Sequence, residues 1–472
     1  MPRILVVYPS YYSYSVQPMR DEVKSSPLVL ASYLSQHHPV EYADLQVSIG
    51  CPTSRVQIKR FERKVRQFLQ TRQFDILAIS CWTSLSYKTT MTTARLAREL
   101  YPNCLIVVGG YHATARPNDF VTEDRVIDYV IRGEGETALR DIAQALPSGG
   151  RPSQTRIQDS PSLQPDSFVE MNWELVDRLV RSEFPGGVGT LCVYLSRGCP
   201  FECSFCVESL KDRCWRPLPP ERAIQQVRRA LERFNLQAIA FGDACFGVHA
   251  RWRKKFLKLL VDLNPSCWVL FESRPEFLDD DDVRMLARLK TEIQFGIESG
   301  SPDMLRLMNK TRQPERFLAD FRGLSRRLSE HGIVHGANLI FNHPGETRKT
   351  LQETFDYVDS MLTIRPSTLM WACHGYMHFP GSAVDRDRKL LEEQFGTQFL
   401  SPEWWHLDED PYVSARRVIS STDLGAERLD LWKTMLSERE EALKGCLTPE
   451  AFHLAADNYF PHWKLDSRYV GQ

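Results

Sequence analysis

The sequence predicts an α/β protein in three parts. These are a Rossmann-like, doubly wound parallel sheet over 1–147, a partial (β/α)6 TIM-like barrel over 188–380, and a mostly helical region over 381–472. Three observations carry this reading. Short apolar runs alternate with stretches of helical periodicity, the mark of parallel βα units. The alternation breaks between Pro147 and about Gly187, where Pro, Ser, Gly and Gln accumulate, so 148–187 reads as a linker. It then fades after about Pro380, where charge and tryptophan increase.

The elements follow in order. Ile4–Tyr8 is an apolar run closed by Pro9-Ser10, a first strand. Ser54–Gln70 places Ile58, Phe61, Val65, Phe68 and Leu69 at helical spacing. Asp75–Ser80 reads as a buried strand, Lys88–Leu100 as a helix, and Leu105–Val108 as a strand running into Gly109-Gly110. Asp128–Ile131 is the next strand, and a helix follows from Thr137 to Leu146. In the second series the strands are Leu191–Leu195, Gln237–Phe241, Cys267–Glu272, Glu292–Ile297, Val334–Phe341 and Thr368–His374. Helical patterns such as Pro220–Phe234 and Thr347–Leu362 lie between them. Six units suit an incomplete barrel rather than the closed eight-stranded one. Thr448-Pro449-Glu450 marks a helix start in the tail.

Bulk properties exclude several classes. An apolar share of 42% with 25% charged residues is that of a soluble globular chain. A formal net charge of -1 provides no field for bulk nucleic acid, and no nucleic-acid partner is expected. No apolar run approaches the ~18 residues of a membrane span, and the short apolar start lacks a cleavage site, so a cytoplasmic protein is expected. Most of the 12 cysteines stand alone among apolar or loop residues and read as small buried hydrophobes.

Cys199, Cys203 and Cys206 are different. They form a C-x3-C-x2-C run immediately after a predicted strand. Thiolates so spaced wrap one face of a cubane and leave one iron of a 4Fe–4S cluster without a protein ligand. A zinc site wants four N or S ligands; Cys214 has no matching spacing and His249 is isolated. Later strand ends add further groups. Gly242 and Asp243 end the second barrel strand, Arg274 the third, and Glu298 the fourth. An arginine pairs a carboxylate bidentately, and a carboxylate accepts from an ammonium or a ribose hydroxyl. Each alone reads equally well as a cap or an ion-pair member. Their succession on the C-terminal ends of barrel strands, where barrel enzymes keep their sites, favours ligand contact.

The segment Ser196–Cys206 resembles the signature of the radical S-adenosylmethionine (SAM) superfamily, and Leu305–Lys310 follows as in that family. The resemblance implies a 4Fe–4S cluster on Cys199, Cys203 and Cys206 that binds and cleaves SAM. Phe205 would pack near adenine, and Gly242, Asp243, Arg274, Glu298 and Gly345 would contact SAM. An external electron donor such as flavodoxin or ferredoxin is implied as well. The turn Asn342-His343-Pro344-Gly345-Glu346-Thr347 departs from the family by placing Asn-His before the proline, which puts His343 where it can meet substrate.

The strand ends of the first part are rich in small and hydroxyl residues: Ser10; Trp82, Thr83 and Ser84; Gly109, Gly110 and His112; Gly133, Glu134 and Gly135. Ligands of open α/β sheets sit at such ends, and a G-x-G-x-x-G turn, which would signal a dinucleotide, is missing after the first strand. In this order the phrases resemble the cobalamin-binding domain that precedes many radical SAM cores, which implies cobalamin on these residues. The D-x-H-x-x-G motif of cobalamin mutases is missing, so the lower face of cobalt is expected to lack a protein imidazole, with Trp82 or its neighbours beneath the corrin.

The combined resemblance implies a cobalamin-dependent radical SAM enzyme. Its expected reaction is methylation of an unactivated carbon through methylcobalamin and a 5′-deoxyadenosyl radical. Two alternatives stand beside it: a non-methylating enzyme of the same cofactors that forms, contracts or oxidises rings, and a non-catalytic cobalamin-binding or redox module. A small metabolite, a natural-product precursor or a peptide would be the substrate. Trp404-Trp405-His406 either lines the barrel mouth or packs the tail against the barrel.

Overall fold

The computed structural model describes residues 1–12, 22–23, 25–52, 54–210, 213–426 and 429–466. Up to residue 160 the strands are β1 (Ile4–Tyr8), β2 (Glu22–Val23), β3 (Val40–Asp44), β4 (Ile76–Ser80), β5 (Leu105–Gly109), β6 (Tyr129–Gly133) and β7 (Arg156–Ser160). Six of them make one parallel sheet in the order β3-β1-β4-β5-β6-β7. Alternation sends the side chains of β1 to two cores. Leu5 and Val7 meet Phe61, Val65 and Leu69 of the helix Arg55–Gln70, while Ile4 and Val6 face the rest of the molecule.

The second sheet is built from β8 (Thr190–Val193), then β11 (Ala238–Phe241), β12 (Trp268–Ser273), β13 (Thr291–Glu298), β14 (Val334–Phe341) and β15 (Leu369–Gly375). Between β8 and β11, two short strands, β9 (Ser196–Arg197) and β10 (Arg216–Pro217), pair antiparallel. The six long strands are parallel and consecutive, an open (β/α)6 barrel; β2, from the first part of the chain, adds a seventh strand beside β8. The two halves are therefore sewn together. Ile4, Val6 and Leu28 belong to the same buried core as Leu191, Val193, Phe241 and Phe271, and Ser25 donates its hydroxyl to the carbonyl of Cys192.

The segment expected as a linker has structure of its own. β7 extends the first sheet, and the helix Trp173–Glu183 buries Trp173, Leu175, Val176, Leu179 and Val180 after an Asn172 cap. Its polar composition hid a single amphipathic helix. β2, β3 and β7 escaped the sequence reading because they are short or carry several polar residues. The tail is mostly helical, as expected, with one small hairpin of Gln398–Phe399 and Val418–Ile419. Trp404 and Trp405 are buried; Trp404 donates to the His378 carbonyl at 2.7 Å, just beyond β15, and Trp405 donates to Asp119 at 2.7 Å, which fastens the tail to the first domain.

Candidate active site between the two sheets

The cysteine loop leaves the end of β8 and is pinched at its base by the β9–β10 pair. Within it, Ser204 N–H donates to the Met308 carbonyl at 2.8 Å, and Asn309 donates to the Glu202 carbonyl at 2.9 Å, so the segment after β13 holds the loop in place. Cys199, Cys203 and Cys206 are free thiols, each half-buried. They lie close enough for a charge on Cys203 to oppose ionisation of Cys199 and Cys206. Burial pushes Cys206 up to about 12 and Cys199 upward, while Lys310 and, at Cys199, Arg274 pull the other way. Binding iron would remove that barrier, because a coordinated thiol is deprotonated. Among the described residues no three His, Cys, Asp or Glu groups converge on a single metal ion. The donor set, three thiols on one loop beside two cations, fits a cubane with one open iron and not a zinc site.

Around the loop stand the residues expected to meet SAM. Arg274 lies across the Phe201 ring at 3.9 Å, donates to Glu276 at 2.7 Å, and reaches the Lys310 carbonyl at 2.8 Å. Glu298 adopts φ 69° at a register shift in β13 and accepts from Lys310 Nζ at 2.9 Å. A non-glycine residue in that region is uncommon and concentrates at working sites. Asp243 is buried and accepts from Leu195 N–H at 3.2 Å and from the Ser196 hydroxyl; burial pushes its acid up to about 7. It thus fastens the start of the cysteine loop. A Cβ on Gly242 would fall 2.6 Å from Cys192 Sγ, and one on Gly345 would fall 2.5 Å from Leu307, so both glycines make room for neighbouring side chains. Phe205 is half-buried and its ring meets His343 edge-on at 6.3 Å. His343 is fully enclosed, with Nδ1 on the Pro344 carbonyl at 2.8 Å and Nε2 without a partner.

A second hollow separates the C-terminal strand ends of the first sheet from the barrel strand ends. Trp82, Gly109, Gly110, Gly133, Glu134 and Gly135 line it on one side; Tyr194, Ser196, Arg197, Gly198 and Gly242 line it on the other. Gly110 sits at φ 103°, and a Cβ there would fall 2.5 Å from the Cys81 carbonyl oxygen. Backbone so bared, beside the 42% exposed Trp82, gives a flat ligand room to lie against the strand ends. Among the described residues no histidine lines this cleft.

Four expected residues lie elsewhere. Ser10 is buried, φ 68°, and donates to the Gly50 carbonyl at 3.3 Å. Thr83 caps a short helical turn through Leu85 N–H. Ser84 meets His112 Nδ1 at 2.7 Å, and His112 Nε2 meets Asp119 at 3.1 Å. That pair faces Tyr87, Phe120 and Trp405 instead of the cleft. Glu134 lines the cleft, yet its carboxylate is taken by Arg216 at 2.5 Å, Arg197 at 3.2 Å and Leu163 N–H at 2.8 Å. Burial would raise its pKa; the two guanidiniums hold it below the usual range. Arg197, Arg216 and Glu136 were not anticipated. Arg197 directly precedes Gly198-Cys199 in the motif, and that adjacency was the only signal available.

Comparison with known proteins agrees with this architecture. A B12 binding domain model matches residues 26–143, and a radical SAM superfamily model matches 193–358. An uncharacterized methyltransferase of Pyrococcus horikoshii is 25% identical over 375 residues, covering 72% of this chain and 76% of its own. The anaerobic magnesium-protoporphyrin IX monomethyl ester cyclase of Rubrivivax gelatinosus is 24% identical over 381 residues, covering 75% and 65% respectively. Among solved structures, the radical SAM methyltransferase TsrM of Kitasatospora setae, with tryptophan and a SAM analog bound, superposes with a TM-score of 0.68 at 16% identity, covering 98% of this chain and 97% of its own. No helix among the described residues is long and apolar enough to cross a membrane. A radical SAM domain implies a 4Fe–4S cluster and SAM, and a B12 binding domain implies cobalamin. The chain is thus a radical SAM enzyme that carries a B12 binding domain ahead of its barrel.

Proposed function

We propose that the chain is a cobalamin-dependent methyltransferase acting on an unactivated carbon of a small molecule. The observation that carries this reading is the shared cleft. Strand ends of the first sheet and strand ends of the barrel bound one hollow, which Ser196, Arg197 and Gly198 of the cysteine loop also line. When bound, the cluster with SAM supplies a hydrogen-abstracting radical and cobalamin supplies a methyl carrier.

The chain's own part is to hold these groups near each other and keep water out. Cys199, Cys203 and Cys206 would hold the cluster. Phe205, Arg274 and Glu298 belong to the reading as SAM contacts. Lys310 balances the charge of Glu298 and of the thiolates from a buried position. Trp82 and the backbone at Gly109, Gly110, Gly133 and Gly135 would carry the corrin. An external one-electron donor completes the set.

The test is anaerobic reconstitution with cluster and hydroxocobalamin, followed by SAM and a reductant. Bound corrin with both 5′-deoxyadenosine and S-adenosylhomocysteine supports methyl transfer. Bound corrin with 5′-deoxyadenosine alone, across substrates that are turned over, supports the second reading, a non-methylating radical enzyme. The resemblance to the Rubrivivax gelatinosus cyclase favours keeping that reading. Neither corrin nor SAM cleavage in a protein with an intact cluster would refute both.

A further inference from the structure

A separate chamber lies beside β15, between the open barrel and the tail. Trp371, Tyr412, Trp432, Tyr459 and Phe460 wall it, and its volume of about 510 Å³ is that of a small-molecule site. Trp432 is held flat against Phe341, centroids 4.9 Å apart and 3° between planes, so this wall is fixed and not a loose flap. Such walls favour a flat apolar body over a flexible polar one.

The cations of the chamber are not equivalent. Lys433 pairs with Asp430 at 2.6 Å, and His462 pairs with Glu440 at 3.0 Å. Arg416 has no carboxylate partner among the described residues. Its guanidinium lies over the Tyr412 ring at 4.0 Å, donates once, to Tyr412 Oη at 2.6 Å, and leaves Nε buried without an acceptor. A half-buried guanidinium with unused donors is costly unless an anion meets it. Glu272 and Glu292 act on Tyr459 from the strand side, and the tail's own carboxylates, Asp430 and Glu440, are taken by Lys433 and His462. Among the described residues Arg416 is therefore the guanidinium or ammonium of the chamber that no carboxylate meets, and it stands on the tail side. One guanidinium matches a monoanion with two oxygens.

His374, next to last in β15, lines the chamber on its barrel side and feels the charges of both Arg416 and Glu298, the partner of Lys310. We propose that this chamber holds the substrate, and that the substrate is a planar aromatic carboxylate whose carboxylate pairs with Arg416. This deepens the methyltransferase reading and rests on it in taking the barrel as the place of reaction.

The test is binding to holoenzyme loaded with cluster, cobalamin and SAM. Two matched pairs are titrated by calorimetry: indole-3-propionate with indole-3-propionamide, and 2-naphthoate with 2-naphthamide. Each acid is expected to bind about tenfold or more tightly than its amide, the effect of one charge-assisted bidentate pair. Arg416→Gln should abolish the preference, and Arg416→Lys should retain part of it. The cluster and corrin absorption reports whether each variant is folded and loaded. An acid and its amide binding alike, no binding by either acid, or a preference that survives Arg416→Gln in a loaded protein would overturn the proposal. Failure of wild-type protein to load corrin counts instead against the methyltransferase reading, so the two failures are separable.

Discussion

Glu134 offers a decisive perturbation because two roles compete for it. It stands at a strand end that lines the cleft, where the sequence expects a cobalamin contact. The structure surrounds its carboxylate with Arg216, Arg197 and Leu163 N–H. The three side chains are 8%, 5% and 16% exposed, so solvent screens them little. Glu134→Gln keeps the shape and removes the charge. Taking one partner from a buried pair costs about 3–5 kcal/mol. Arg197 retains Glu136 at 2.7 Å, which places the expected loss near the lower end, about 3 kcal/mol. The assay is urea unfolding of the apoprotein, wild type against variant, with corrin binding measured in parallel. The acid dependence supplies a control. Since the folded pKa of Glu134 lies below its unfolded value, its contribution is present above the ordinary carboxylate range and is lost as pH falls through the folded value. The two proteins should therefore converge in stability toward low pH. A change below about 1 kcal/mol together with lost corrin binding would refute the domain-seam reasoning and return Glu134 to the ligand.

Other expectations follow from single sites. Cys203→Ala should lower the cluster's absorption and 5′-deoxyadenosine formation to background while circular dichroism keeps its shape; retained SAM cleavage would remove Cys203 from the ligand set. Gly110→Ala drives a Cβ to 2.5 Å from the Cys81 carbonyl oxygen at φ 103° and should cost about 3 kcal/mol in unfolding free energy, with corrin binding weakened. His335 is fully enclosed between Ser325 and the Ile333 carbonyl, and burial pushes it down from 6.5 to about 4. The unfolded chain takes up a proton there first, so stability should fall by about 3 kcal/mol as pH drops from 6.5 to 4. A thermal-midpoint profile of His335→Gln should be flatter across that window than the wild type's.

Much of the fold was legible because the chemistry that makes strands and helices is local. Runs such as Ile76–Ser80 and Val334–Phe341 are apolar enough to be buried on both faces, and Ser54, Thr347 and Thr448 cap helices as their sequence context suggests. The cysteine spacing is equally local, and it named the cluster loop directly. β2, β3 and β7 were not legible, because a strand of two residues or one carrying Arg156, Gln158 and Asp159 is held by its neighbours and not by its own pattern.

The sequence by itself determined the order of βα units, the three thiols and the glycines that bare the strand ends, since each depends on residues adjacent in the chain. Only the tertiary structure decided which polar groups are already spent. His112 is committed to Ser84 and Asp119, Glu134 to Arg197 and Arg216, and Asp243 to Ser196, whereas Arg416 meets no carboxylate among the described residues. A side chain's availability depends on partners that are distant in sequence, and folding alone brings those partners within hydrogen-bond reach.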